Sequence, residues 1–131
     1  MPAGRIHHLD LTVGDIARST AFSDAVLLLV GFVREPDCPE GPLWRGAALE
    51  LGLQAASAGG IAVGHDRWTP GLHHLAFGVD SAAAVDRVYE SLLALGVTIL
   101  DPPAIYPEYG RDYYATFFAD PDGLKLEVAH T

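Results

Sequence analysis

Four of the six histidines in this chain stand in two adjacent pairs. The pairs head two similar segments, RIHHLDLTV at residues 5–13 and LHHLAFGV at residues 72–79. Each segment alternates in the manner of a β-strand, where successive side chains point to opposite faces. Each doublet therefore sends one imidazole to either side. In the first, His7 shares its face with Leu9, Leu11 and Val13, leaving His8 opposite with Asp10 and Thr12. In the second, His73 goes with Leu75, Phe77 and Val79, and His74 goes with Ala76 and Gly78. The apolar faces must pack beneath helices, so His7 and His73 are expected as hydrogen-bonded histidines at the core edge. His8 and His74 are expected on the open side.

Two later segments carry acids by the same rule. ALELGLQ (residues 48–54) and LKLEVAH (residues 124–130) alternate leucines or valine with one glutamate each, Glu50 and Glu127. Both glutamates fall opposite the apolar face. Two imidazoles and two carboxylates converging on one hollow are a donor set for a divalent metal. Carboxylates match its charge, and imidazoles suit Zn, Ni, Fe, Mn or Co. A lone strand histidine is more often a surface or hydrogen-bonded residue than a ligand, and a lone glutamate is usually just solvated. The repetition in both halves is what favours His8, Glu50, His74 and Glu127 as ligands.

Other side chains could line such a hollow. Asp10 lies two residues from His8 on the same face, placed to back a metal ligand, to touch a substrate or simply to line the cup. The stretch DPPAIYPEYGRDYY (residues 101–114) gathers Tyr106, Tyr109, Tyr113 and Tyr114 around Arg111. Loops of this kind cover aromatic or anionic ligands, which nominates Tyr106, Tyr109, Arg111 and Tyr114 as substrate contacts. Trp44 and Trp68, beside Arg45 and Arg67, read as rim residues or ordinary packing. Cys38 has no motif of a nucleophile, and His65 and His130 receive no role.

The elements that must hold these residues repeat as well. Helix-like stretches follow each doublet, from Asp15 to about Leu29 and from Ser81 to about Leu95. Asp15 and Ser81 are suited to cap the first turn. Gly31 and Gly96 mark the stops, where glycine takes positive φ at little cost. Short strands follow in GFVRE and GVTIL, and FFADPDG is a turn in which Pro121 fixes φ and Gly123 supplies the left-handed position. Each half thus reads as strand, helix, then strands. The halves span about residues 5–54 and 72–131, joined by an Ala- and Gly-rich linker at about 55–71, all within one domain of 131 residues. The stretch 101–114 is expected to be irregular.

Composition narrows the partners. An apolar fraction of 50% suffices for a core, and no run is long enough to span a bilayer. A net charge of −9 makes nonspecific nucleic-acid binding unfavourable. One cysteine forms no internal disulfide, and the N-terminal residues lack a basic-then-apolar signal, so a cytoplasmic setting is expected. The expected partners are a small-molecule substrate and a second copy of the chain, with neither nucleic acid nor membrane.

HHLDLTVGDIARSTAF, GLHHLAFGV and FFADPDGLKLEV resemble the vicinal oxygen chelate superfamily, the glyoxalase, bleomycin resistance protein and dioxygenase family. The resemblance covers essentially the whole chain. It implies an α+β fold of two tandem βαβββ modules, whose curled mixed sheet surrounds a central cup. The cup would form within one chain or between two chains of a homodimer. It also implies a divalent metal on His8, Glu50, His74 and Glu127, with Glu50 and Glu127 as catalytic carboxylates. The implied activity is a lyase or isomerase of glyoxalase I type. In that chemistry a metal stabilises an enediolate and a glutamate moves a proton between adjacent carbons. An Fe(II) extradiol dioxygenase, which needs only two histidines and one carboxylate, is a second implied activity. Non-catalytic sequestration of an antibiotic is a third. Thr12 stands where glutathione-using members carry an arginine, which argues against glutathione as a thiol cofactor.

Overall fold

The computed structural model describes residues 1–36 and 38–131. It divides into two compact units, Met1–Gly64 and His65–Thr131. The first runs β1 (His8–Val13), α1 (Ile16–Leu29), β2 (Val33–Arg34), β3 (Leu43–Arg45), β4 (Glu50–Ala55) and α2 (Ala58–Val63). The second runs β5 (His74–Gly78), α3 (Ala82–Ala94), β6 (Thr98–Ile105), β7 (Tyr114–Ala119) and β8 (Lys125–His130). Each unit therefore holds one βαβββ module, and the α+β class expected from the sequence is what the structure shows.

Hydrogen bonding joins the strands of each module into its own four-stranded sheet, in the orders β1-β4-β3-β2 and β5-β8-β7-β6. The helix carries the chain away from the first strand. The next three strands return as an antiparallel meander, and the last closes beside the first in parallel. First and last strands are thereby neighbours, which brings the histidine-bearing and acid-bearing strands together.

Local chemistry sets the boundaries. The Asp15 carboxylate accepts from Arg18 N at 3.0 Å, and the Ser81 hydroxyl accepts from Ala84 N at 3.1 Å. Each satisfies an otherwise unpaired N–H of a first helical turn. Gly31 and Gly96 follow their helices at φ +86° and +72°. On α3, Val85, Val88 and Leu92 are buried at helical spacing and pack on the sheet with Phe118, Leu126 and Val128. Each such side chain stabilises the fold by roughly 1.5–3 kcal/mol. On α1 the buried residues include Ser19 and Ser23 besides Val26 and Leu27. Trp44, which reads from sequence as rim or surface, is buried opposite Leu51 and donates its indole N–H to Asp24 at 3.0 Å.

Two stretches differ from their expectation as irregular chain. The linker contains α2, capped by the Ser57 hydroxyl on Gly60 N at 3.0 Å. The stretch from Asp101 to Ile105 belongs to β6 despite Pro102 and Pro103. A proline cannot donate to a ladder, but β6 is the edge of its sheet and its register shifts on both sides of Asp101. Edge strands and bulges are where a sheet tolerates proline.

Candidate functional site

In the second module the open face of the sheet is built around Glu127. The DPDG turn aims it: Asp120 Oδ1 accepts from Asp122 N and Leu124 N at 2.9 and 2.8 Å, and Gly123 turns the chain at φ +83°. Lys125–His130 then starts in a fixed phase, with Leu126 and Val128 on the helix side and Glu127 on the other. Ala115, Phe117 and Ala129 form a buried patch beside it, covered by Tyr106 and Tyr113. Glu127 itself is 2% exposed. Its Oε1 accepts from the Tyr113 hydroxyl at 2.5 Å, and its Oε2 lies 3.2 Å from His74 Nε2. Burial, and then the bond to the Glu127 carboxylate, push the Tyr113 hydroxyl up to about 12. Burial also raises Tyr106.

The doublets share one internal contact. His73 Nδ1 lies 2.7 Å from His74 Nδ1, and His7 Nδ1 lies 3.1 Å from His8 Nδ1. Of two facing ring nitrogens one must carry the hydrogen and the other the lone pair. The first histidine of each pair is thus the hydrogen-bond partner of the second, which keeps its Nε2 for other company. His73 also meets Trp68 edge-on at 4.9 Å between centroids. Its pKa is lowered, by burial first and then by the neighbouring His74, Arg67 and Lys125. His7 departs from the core-edge expectation: it precedes β1 and is exposed, because the strand begins only at His8.

In the first module the open face lines a hollow of about 300 Å³. His8, Asp10, Leu43, Glu50, Gly52 and Gln54 contribute from the strands, with Cys38 and Glu40 from the loop. Pleat alternation thus places His8, Asp10 and Glu50 together as expected. The equivalence of Glu50 and Glu127 does not survive. The ladder sets His8 opposite Glu50 and Asp10 opposite Gly52, whereas it sets His74 opposite Lys125 and Ala76 opposite Glu127. Glu50 matches Lys125, and the place of Glu127 is taken by Gly52. Sequence parity fixes the face but not the rung, so a two-residue shift passed unseen. Glu50 is moreover ion-paired with Arg45, its cross-strand neighbour, which also binds Glu35 at 3.2 Å.

The tyrosine loop divides. Tyr106 and Tyr113 pack on the open face, and Tyr109 stacks on Tyr106 at 5.9 Å while remaining exposed. Arg111 is exposed in the loop. Tyr114 turns to the helix side, where its hydroxyl donates to Asp86 at 2.6 Å, so the structure does not bring it to the open face. Tyr113 is the loop residue that the choice of substrate contacts omits. Its odd parity with Ala115 and Phe117 was the available signal. Cys38 donates to Glu40 at 3.1 Å, and that bond raises the thiol pKa, the opposite of what a nucleophile needs. Among the described residues, no three of His, Cys, Asp and Glu group closely enough to hold a metal; the donors come as pairs.

The family model described as the glyoxalase/bleomycin resistance protein/dioxygenase superfamily matches residues 5–128. The chain belongs to this superfamily. It is 32% identical over 124 residues to the Bacillus subtilis (strain 168) protein YqjT, whose own function is uncharacterised, covering 94% of this chain and 96% of the relative. A solved structure from Bacillus halodurans, provisionally assigned as a glyoxalase, superposes at a TM-score of 0.83 with 26% identity, over 98% of this chain and 96% of the other. Lactoylglutathione lyase from Agrobacterium tumefaciens superposes at 0.72 with 20% identity, over 99% and 96%, a likeness of fold alone. The superfamily includes many enzymes, and divalent metals are common in it.

Proposed function

We propose that the chain is a metal-dependent lyase or isomerase of the glyoxalase type. Its substrate would be a small molecule held through two neighbouring oxygens. One observation carries this reading: Glu127, buried on the open face, sits between the Tyr113 hydroxyl and the His74 imidazole. Removing a carboxylate from water costs several kcal/mol unless partners compensate. A buried acid beside an imidazole is an arrangement that proton-transfer sites share.

The donor chemistry fits a divalent ion. Imidazole nitrogen and carboxylate oxygen are the ligands that Zn, Ni, Fe, Mn and Co accept. His74 and Glu127 would hold it in the second module, and His8 is the corresponding imidazole of the first. When bound, such an ion supplies Lewis acidity to the substrate oxygens. The remaining work belongs to the chain. Glu127 moves the proton between adjacent carbons, Tyr113 orients that carboxylate, and Tyr106 with Phe117 excludes water. Glu50, engaged by Arg45, has no share in the proton transfer.

The test is turnover of a small α-ketoaldehyde with a thiol under each metal in turn. Glu127→Gln is expected to lower kcat by about 10²–10⁴-fold while the near-ultraviolet dichroism stays native. Turnover indifferent to that change contradicts the proposal. Tight binding of aromatic compounds without metal or turnover would favour sequestration instead. The Arg45–Glu50 ion pair favours one second reading, since it withdraws a carboxylate and leaves two histidines and one acid. That is the set of an Fe(II) dioxygenase, and oxygen uptake with a catechol under Fe(II) would reveal it.

A further inference from the structure

The corresponding rungs of the two sheets carry the same kinds of residue on exchanged strands. In the second sheet the small residue, Ala76, lies on the first strand of the module and the acid, Glu127, on the last. In the first sheet the acid, Asp10, lies on the first strand and the small residue, Gly52, on the last. Gly52 is not merely small. A methyl group built on it would come within 2.3 Å of Asp10 Oδ1, so the Asp10 carboxylate leans across the ladder and occupies that space. Its oxygen therefore ends above β4, at the rung from which the Glu127 side chain rises on β8.

Glu50 occupies a different rung and a different electrostatic setting. It faces His8 directly, corresponds to Lys125, and is ion-paired with Arg45. Among the described residues the Asp10 carboxylate is paired with no cation. Asp10 and Gly52 line the same hollow as His8. Asp10 and His8 also share a strand face two residues apart, which points both side chains the same way.

We propose that Asp10, rather than Glu50, is the first module's counterpart of Glu127 and supplies the carboxylate ligand beside His8. Gly52 is the residue that permits it. The inference rests on the metal-dependent reading above and adds to it the identity of the first module's acidic donor. It also explains the glycine, since any side chain at position 52 would expel the Asp10 carboxylate from its place.

The experiment is Zn(II) affinity of the whole chain, measured by competition with a chromophoric chelator, so that it needs no substrate. Asp10→Ala is expected to weaken binding by at least about tenfold, with Asp10→Asn as the isosteric control should the smaller side chain disturb the sheet. Gly52→Ala is expected to weaken it too, by displacing the carboxylate. Glu50→Gln is expected to leave affinity unchanged. The double variant Asp10→Ala, Gly52→Glu rebuilds the arrangement of the second module and is expected to recover most of the loss. Full affinity in Asp10→Ala and Asp10→Asn, or a loss in Glu50→Gln as large as theirs, overturns the inference while leaving the metal reading intact. A wild-type chain that takes up no metal overturns the metal reading and this inference with it.

Discussion

A carboxylate held between a tyrosine hydroxyl and an imidazole surrenders most of its hydration, and those two contacts are what offset the loss. The contact with Tyr113 makes a prediction about pH. The Tyr113 hydroxyl is raised from its ordinary value near 10 to about 12, so the folded chain holds that proton more tightly than the unfolded one. A group with a raised folded pKa contributes stability that is complete below its unfolded value and vanishes as pH climbs through the folded one. The stability advantage of the metal-free wild type over Tyr113→Phe should therefore be full at neutral pH and shrink between about pH 10 and 12. Urea midpoints of the two proteins across that range check it; a gap independent of pH speaks against the contact. The doublets make a second prediction. A metal on His74 Nε2 requires hydrogen on Nδ1, which His73 is placed to accept. His73→Phe should weaken metal binding by about 10–100-fold, and His73→Gln, whose carbonyl can accept, should weaken it less. Equal losses in a chelator competition would show that the ring contributes only bulk.

At the scale of elements, the site depends on two strands arriving in phase, and the helices fix that phase. Ser81 closes the first turn of α3, the helix that covers the second sheet. Ser81→Ala should cost about 1 kcal/mol. Leu92→Ala on the inner face of the same helix should cost roughly 2–5 kcal/mol. Denaturant unfolding measures both, and a Leu92→Ala loss no larger than the cap's would contradict the packing described. These elements were legible because their signals are local. Asp15 and Ser81 as caps, Gly31 and Gly96 as stops, and the DPDG turn each follow from neighbouring residues. The face of each histidine and glutamate was equally legible, since parity needs only a strand. Register was not, because it belongs to a pair of strands distant in sequence. Glu50 and Glu127 look alike on parity and differ by two residues in the ladders. The prolines of β6 misled for a related reason: only the sheet order reveals that they lie on an edge.

The whole molecule is a duplication, and its two halves have not kept the same side chains. Each module contributes an imidazole backed by a second histidine, and each carries an acid on the matching rung, from opposite strands. Among the described residues, no three donors group closely enough to hold a metal. The most direct test is the metal content of the purified, saturated protein, set beside that of His8→Ala and His74→Ala. One ion per chain is expected in the wild type, with its loss in both variants. Two ions per chain, none, or a loss confined to one variant would contradict the proposed site.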